Sequence, residues 1–177
     1  MKKSTNLLHI VTASLLAALC CVATMVIQIP TPTGGFVNLG DTVIVLASAL
    51  LSPVYAFLAA GIGSALSDIL AGYPHYAAAT FVIKGFMALA MCLLLRAFCK
   101  ISKEKDFFSI AFTAVSALCG EVIMVGGYFL FEATVLSYGM GAAASVIPNM
   151  IQGAVGILGG TILTTLVRKT RVHTLLQ

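Results

Sequence analysis

From residue 7 to residue 29 the chain runs without a single formal charge, and further long apolar runs follow it almost to the C-terminus. A helix that crosses a bilayer needs about 20 mostly apolar residues, so a chain written this way has to fold as helices packed side by side in a membrane. Charged residues make up only 9% of it, against roughly 25% in a soluble domain. Nucleic-acid binding would require a basic face with stacking aromatics, whereas the Lys and Arg here sit in small clusters beside helix ends. Lys2 and Lys3 ahead of the first run resemble the start of a signal peptide, but the run is longer than a signal core. It is read as a retained helix.

The stops along the chain set the helices. Pro30 and Pro32 end the first because proline has no backbone N–H to donate, and Gly72 and Pro74 end the third. The expected helices cover 7–29, 40–52, 54–71, 77–98, 107–131 and 142–167, in a single domain over 1–177. The fold class is all-α integral membrane, with six transmembrane helices and with N- and C-termini cytoplasmic. The second helix is short: near 20 Å at ~1.5 Å per residue, against a hydrocarbon core of ~30 Å. It must be shielded by its neighbours or span only in part. With both termini inside, the inner segments hold Lys2, Lys3, Arg96, Lys100, Lys103, Lys105, Arg168, Lys169 and Arg171, as the positive-inside rule requires. The remaining basic residue is Lys84.

Lys84 belongs to a second pattern. Asp41, Asp68, Lys84 and Glu121 all fall in or at the mouth of apolar helices, where an ionisable group is costly and is a functional candidate by default. In the expected topology they gather in the outer half with Tyr76, Tyr128, Asn149 and Gln152, bracketed by polar loops at 31–38 and 72–75. A channel or proton wire needs polar positions through the whole depth; an outward-facing cup for a small solute does not. The candidate substrate-binding residues are therefore Asn38, Asp41, Asp68, Tyr76, Lys84, Glu121, Tyr128, Asn149 and Gln152. Each has a plainer reading. Lys84 balances Asp68 or Glu121 as a structural ion pair, and Asp41 caps the second helix. Asn149 and Gln152 either read the edge of a heterocycle or join helices. Tyr76 and Tyr128 are placed for stacking, while Tyr73 suits an interfacial belt.

Small residues one turn apart let helices approach closely. They occur as Ala13-x-x-x-Ala17 in the first helix and as Gly153, Gly156 and Gly160 in the sixth. The glycine face is expected to pack inside the bundle; the alanine face is either internal packing or a docking surface. Cys20, Cys21, Cys92, Cys99 and Cys119 lie in apolar runs and read as small hydrophobes. There is no P-loop, no H-E-x-x-H and no G-x-S-x-G, so no catalytic residue, metal or cofactor is expected and the chain is not read as an enzyme.

The Ala13/Ala17 pair, NLGDTVI from Asn38, GIGSALSDILAGY from Gly61, YAAATFVIKG from Tyr76 and PNMIQGAVG from Pro148 together resemble the substrate-binding S components of energy-coupling factor (ECF) vitamin transporters. The resemblance implies a multi-pass protein of a bacterial cell membrane that captures a vitamin or vitamin precursor from outside. Its implied partners are a transmembrane coupling subunit, docked on Ala13 and Ala17, and two cytoplasmic ATPases. Transport would proceed by toppling of the whole protein in the bilayer. The motifs are most like the hydroxymethylpyrimidine/pyridoxine-type branch, with the riboflavin-type branch as the alternative. Two other readings stand beside it: an autonomous transporter with a proton relay through Asp68, Lys84 or Glu121, and a membrane scaffold.

Overall fold

The computed structural model describes residues 2–102 and 110–170. Among them are six α-helices: α1 (Lys2–Val26), α2 (Gly40–Leu50), α3 (Pro53–Leu70), α4 (Pro74–Ser102), α5 (Ile110–Thr134) and α6 (Val146–Lys169). All but α2 contain a stretch long and apolar enough to cross a membrane, five in total among the described residues. The expected start of the fifth helix at residue 107, and the basic residues Lys103, Lys105 and Arg171, lie outside the described residues.

The ends differ from the expected ones for local reasons. The first helix stops at Val26, because Ile29–Pro30 (β1) pairs antiparallel with Phe36–Val37 (β2) instead of continuing the helix. Gly34 turns this hairpin with φ +82°, a conformation open to glycine at little cost. The Thr31 N–H donates to Gly35 O at 2.9 Å across the turn. Pro74 opens α4 rather than closing α3: proline's missing donor costs nothing in the first turn of a helix. The fifth helix runs on to Thr134, which puts Glu132 in its last turn. A 3-10 segment, Gly139–Ser145, then leads into α6.

The long helices form a ring in which α1 packs on α3, α3 on α4, α4 on α5, α5 on α6, and α2 closes it between α6 and α1. At 11 residues, α2 is about 16 Å long and survives because it is shielded by its neighbours. Val43, Ile44, Val45, Leu46 and Ala47 are all buried, and α2 also touches α3, α4 and α5. The glycine face of α6 makes this possible. A Cβ on Gly160 would sit 2.5 Å from Val45 Cβ, and one on Gly156 would sit 2.8 Å from Asp41 Cβ. The outward positions of the spans are alkyl groups such as Leu15, Ile62, Val122 and Leu158, as a lipid-facing surface requires.

Candidate functional site

The polar core starts at the first turn of α2. Asp41 does not cap that helix: the N-cap position is Leu39, whose side chain makes no capping bond. Instead, one Asp41 oxygen takes the ammonium of Lys84 from α4. The other accepts the Gln152 amide N–H from α6 at 2.6 Å. The ion pair expected between Lys84 and Asp68 or Glu121 is thus made with Asp41, which the glycine face of α6 lets sit deep in the bundle. The Gln152 carbonyl in turn accepts the backbone N–H of Asn38 at 2.9 Å, which fastens the end of the hairpin loop to α6. The Asn38 side chain turns back to accept the Gly40 N–H at 2.9 Å. Lys84 Nζ also lies 5.6 Å from the centroid of the Tyr128 ring, close enough for a cation–π contact.

Above this layer, a cleft opens beneath the hairpin. Asn38, Asp68, Tyr76, Tyr128, Asn149 and Gln152 line it, together with Thr31, Phe36, Tyr73, Thr80 and Glu132. Tyr73, expected in an interfacial belt, instead forms part of this wall against Phe36, with ring centroids 5.0 Å apart. Tyr76 stands edge-on to Phe131 and 6.5 Å from Tyr128. The Tyr128 hydroxyl donates to Thr80 Oγ at 3.1 Å, and Thr80 bears on the Asp68 carboxylate. The second oxygen of Asp68, Oδ2, is buried without a hydrogen-bond partner. The cleft is tight, with a cavity of about 30 Å³, room for one or two waters where small-molecule sites run to hundreds of Å³.

Three of the expected residues stand off that wall. Asp41 and Lys84 lie in the layer beneath, and Glu121 lies on α5 pressed against Gly153 and Gly156 of α6. Both Glu121 carboxyl oxygens are buried without a hydrogen-bond partner. The sequence reading passed over Glu132 and Thr80. Glu132 is 2% exposed and accepts Thr33 Oγ from the hairpin at 3.0 Å. It also takes the Tyr76 hydroxyl from α4 at 3.2 Å and that of Ser145 from the 3-10 segment. One carboxylate therefore ties three elements to α5. Its spacing of four from Tyr128, and that of Thr80 from Lys84, placed both on an already polar helix face. Among the described residues, no three His, Cys, Asp or Glu side chains come together as a metal site.

A second concavity lies on the flank, between α1 and α3. It is an apolar groove of about 390 Å³ whose lining includes Ala13, Ala17, Tyr55, Ala59, Ile62 and Gly63. Ala13 is buried, and a Cβ on Gly63 would strike the Ala17 carbonyl. The alanine face of α1 thus packs on α3 and borders an open groove as well.

Comparison with known proteins gives the family. A family model described as "ECF-type riboflavin transporter, S component" matches residues 4–169. The chain is also similar to an "uncharacterized protein in gap 3'region" from Pyrococcus woesei. The two are 33% identical over 140 residues, which cover 78% of this chain and 87% of that protein.

Proposed function

The chain belongs to the S-component family of ECF-type transporters, and from that premise we propose that the cleft beneath the hairpin is where it holds its vitamin. As an S component it is the substrate-binding subunit of a vitamin-uptake system, a multi-pass protein of the cell membrane and not an enzyme. The finer reading is as follows. The hairpin end faces outward, and the substrate enters under the lifted hairpin. Tyr76 and Tyr128 stack on its ring, while Asn38, Asp68, Asn149 and Gln152 bond its polar edge. Asp41, Lys84 and Glu121 form the floor that holds these groups in place.

The name of the matched family model moves the preferred ligand from the pyridoxine type to riboflavin, a neutral ring system with a hydroxylated chain. The observation that carries the reading is the coincidence of stacking rings with a buried, unpartnered carboxylate oxygen in one cleft. On the flank, the groove beside Ala13 and Ala17 receives a helix of the transmembrane coupling subunit, which two ATPases drive. The test is mass spectrometry of the small molecule that co-purifies with the protein. Riboflavin or another B vitamin is the expected result, and a protein that emerges empty and binds none of them overturns the proposal. The unpartnered Glu121 favours a second reading, proton-coupled transport by this chain alone. Vitamin uptake into liposomes that contain no other subunit would establish it.

A further inference from the structure

We infer that the cleft selects by charge: it takes a neutral or cationic ring compound that brings a hydrogen-bond donor to Asp68, and it turns away phosphorylated or carboxylated relatives. This inference rests on the vitamin-binding reading and narrows what the site accepts. Two carboxylates line the cleft, Asp68 and Glu132, and they are in different states of use. Both oxygens of Glu132 are taken by hydroxyl donors from Thr33, Tyr76 and Ser145. Asp68 is only 6% exposed, yet its Oδ2 has no partner.

The direction of the hydrogen bonds fixes what that atom wants. Tyr128 donates to the Thr80 oxygen, which leaves Thr80 its own proton to give to Asp68. The relay ends on an acceptor, so the free oxygen is satisfied only by a donor on the ligand: a hydroxyl, an amine or a ring N–H.

One cation, Lys84, acts on Asp68 from below, but no cation among the described residues lines the cleft itself. Lys84 is the one buried cation among the described residues, and it lies beneath the cleft against Asp41. The remaining Asp41 oxygen is engaged by Gln152, so this pair has no slack to swing toward the ligand. An anionic ligand would face two like charges in a site nearly free of water, where Coulomb repulsion is poorly screened. Rejection by an unmatched charge is how a site discriminates between compounds of one shape.

The test is equilibrium binding to the purified protein in detergent. The probes are riboflavin, pyridoxine and thiamine, each beside its monophosphate ester. At least one parent compound is expected to bind, with its ester weaker by on the order of 100-fold. Asp68→Asn keeps an amide oxygen but drops the charge, and is expected to shrink that ratio by about tenfold or more. An ester that binds within tenfold of its parent overturns charge selection and leaves the vitamin reading standing. So does a folded Asp68→Asn protein with an unchanged ratio. If Asp68→Asn fails to fold, the wild-type ratio decides alone. If none of the probes binds, both readings fall together.

Discussion

The cleft beneath the hairpin holds about 30 Å³ and is walled by hydroxyls, amides and carboxylates. The groove between α1 and α3 holds about 390 Å³ and is lined mostly by alkyl groups. One is small and polar, held shut by bonds that each point at a particular atom. The other stays open, with small residues that let a second backbone come near. In hydrocarbon, apolar surface supplies no hydrophobic drive for association, so shape and close approach do the work there. Directed hydrogen bonds do it in the cleft, where an unmade one is expensive. The chain thus places two concavities of different chemistry on different faces, and in the proposed function one recognises a solute and the other a helix.

Four substitutions probe that separation. The largest effect belongs to the groove. Ala17→Trp is expected to abolish vitamin uptake in cells while binding in detergent is unchanged; uptake at the normal rate would remove docking from this face. Next comes the floor of the cleft. Lys84→Ala leaves Asp41 charged and buried without its partner, a loss of about 3–5 kcal/mol that a melting curve in detergent should report. If the double variant with Asp41→Ala is no more stable than Lys84→Ala alone, the ion pair is not the cause.

Gly156→Leu forces a side chain into Asp41 and Glu121 and should cost about 1–3 kcal/mol by overpacking, measured the same way. A matching substitution at Gly126, where an added Cβ meets nothing within 4 Å, should be close to neutral. The smallest effect is Gln152→Ala, which removes a bond to Asp41 and another to the hairpin. It should weaken ligand binding by about 1 kcal/mol or somewhat more, with uptake falling in proportion. Affinity that stays the same would detach the cleft from the layer beneath it.

How much of this could be read from the sequence follows from how far apart the participants lie. The spans were legible because apolar length and proline or glycine stops are local properties. So was the short second helix, and so was the presence of charge in helices that should have none. Lys84 was legible as a residue in need of a partner, but not Asp41 as that partner. The two are 43 residues apart, and helical periodicity says which face a side chain is on without saying which helix faces it. Thr33 and Glu132 are 99 apart, and each alone looks like an ordinary loop or helix-end residue. The two-residue strands at Ile29–Pro30 and Phe36–Val37 are too brief for any alternation to register, and Pro30 read simply as a stop.

The end away from the hairpin carries a related lesson. The buried ionisable groups cluster toward the hairpin or at mid-depth, but the other half is not purely apolar: Ser48, Thr113, Ser116 and Thr164 are buried there. Ser48 hands its proton to the carbonyls of Ile44 and Ala88. The Ser48 hydroxyl is thus satisfied by helix backbone, while those of Ser116 and Thr164 are buried without a hydrogen-bond partner; none of them carries a charge, so that half stays apolar toward lipid.

The shortness of α2 also bears on how the protein is made. Eleven residues with an aspartate in the first turn fall well below the length that lets a segment span a bilayer unaided. It must be delivered alongside α1 and α3 and kept out of lipid by them. It gains its full enclosure only when α6 arrives to cover Asp41. The acidic core is therefore covered only after α6 has been made, and a chain released before it would leave the ribosome with Asp41 exposed.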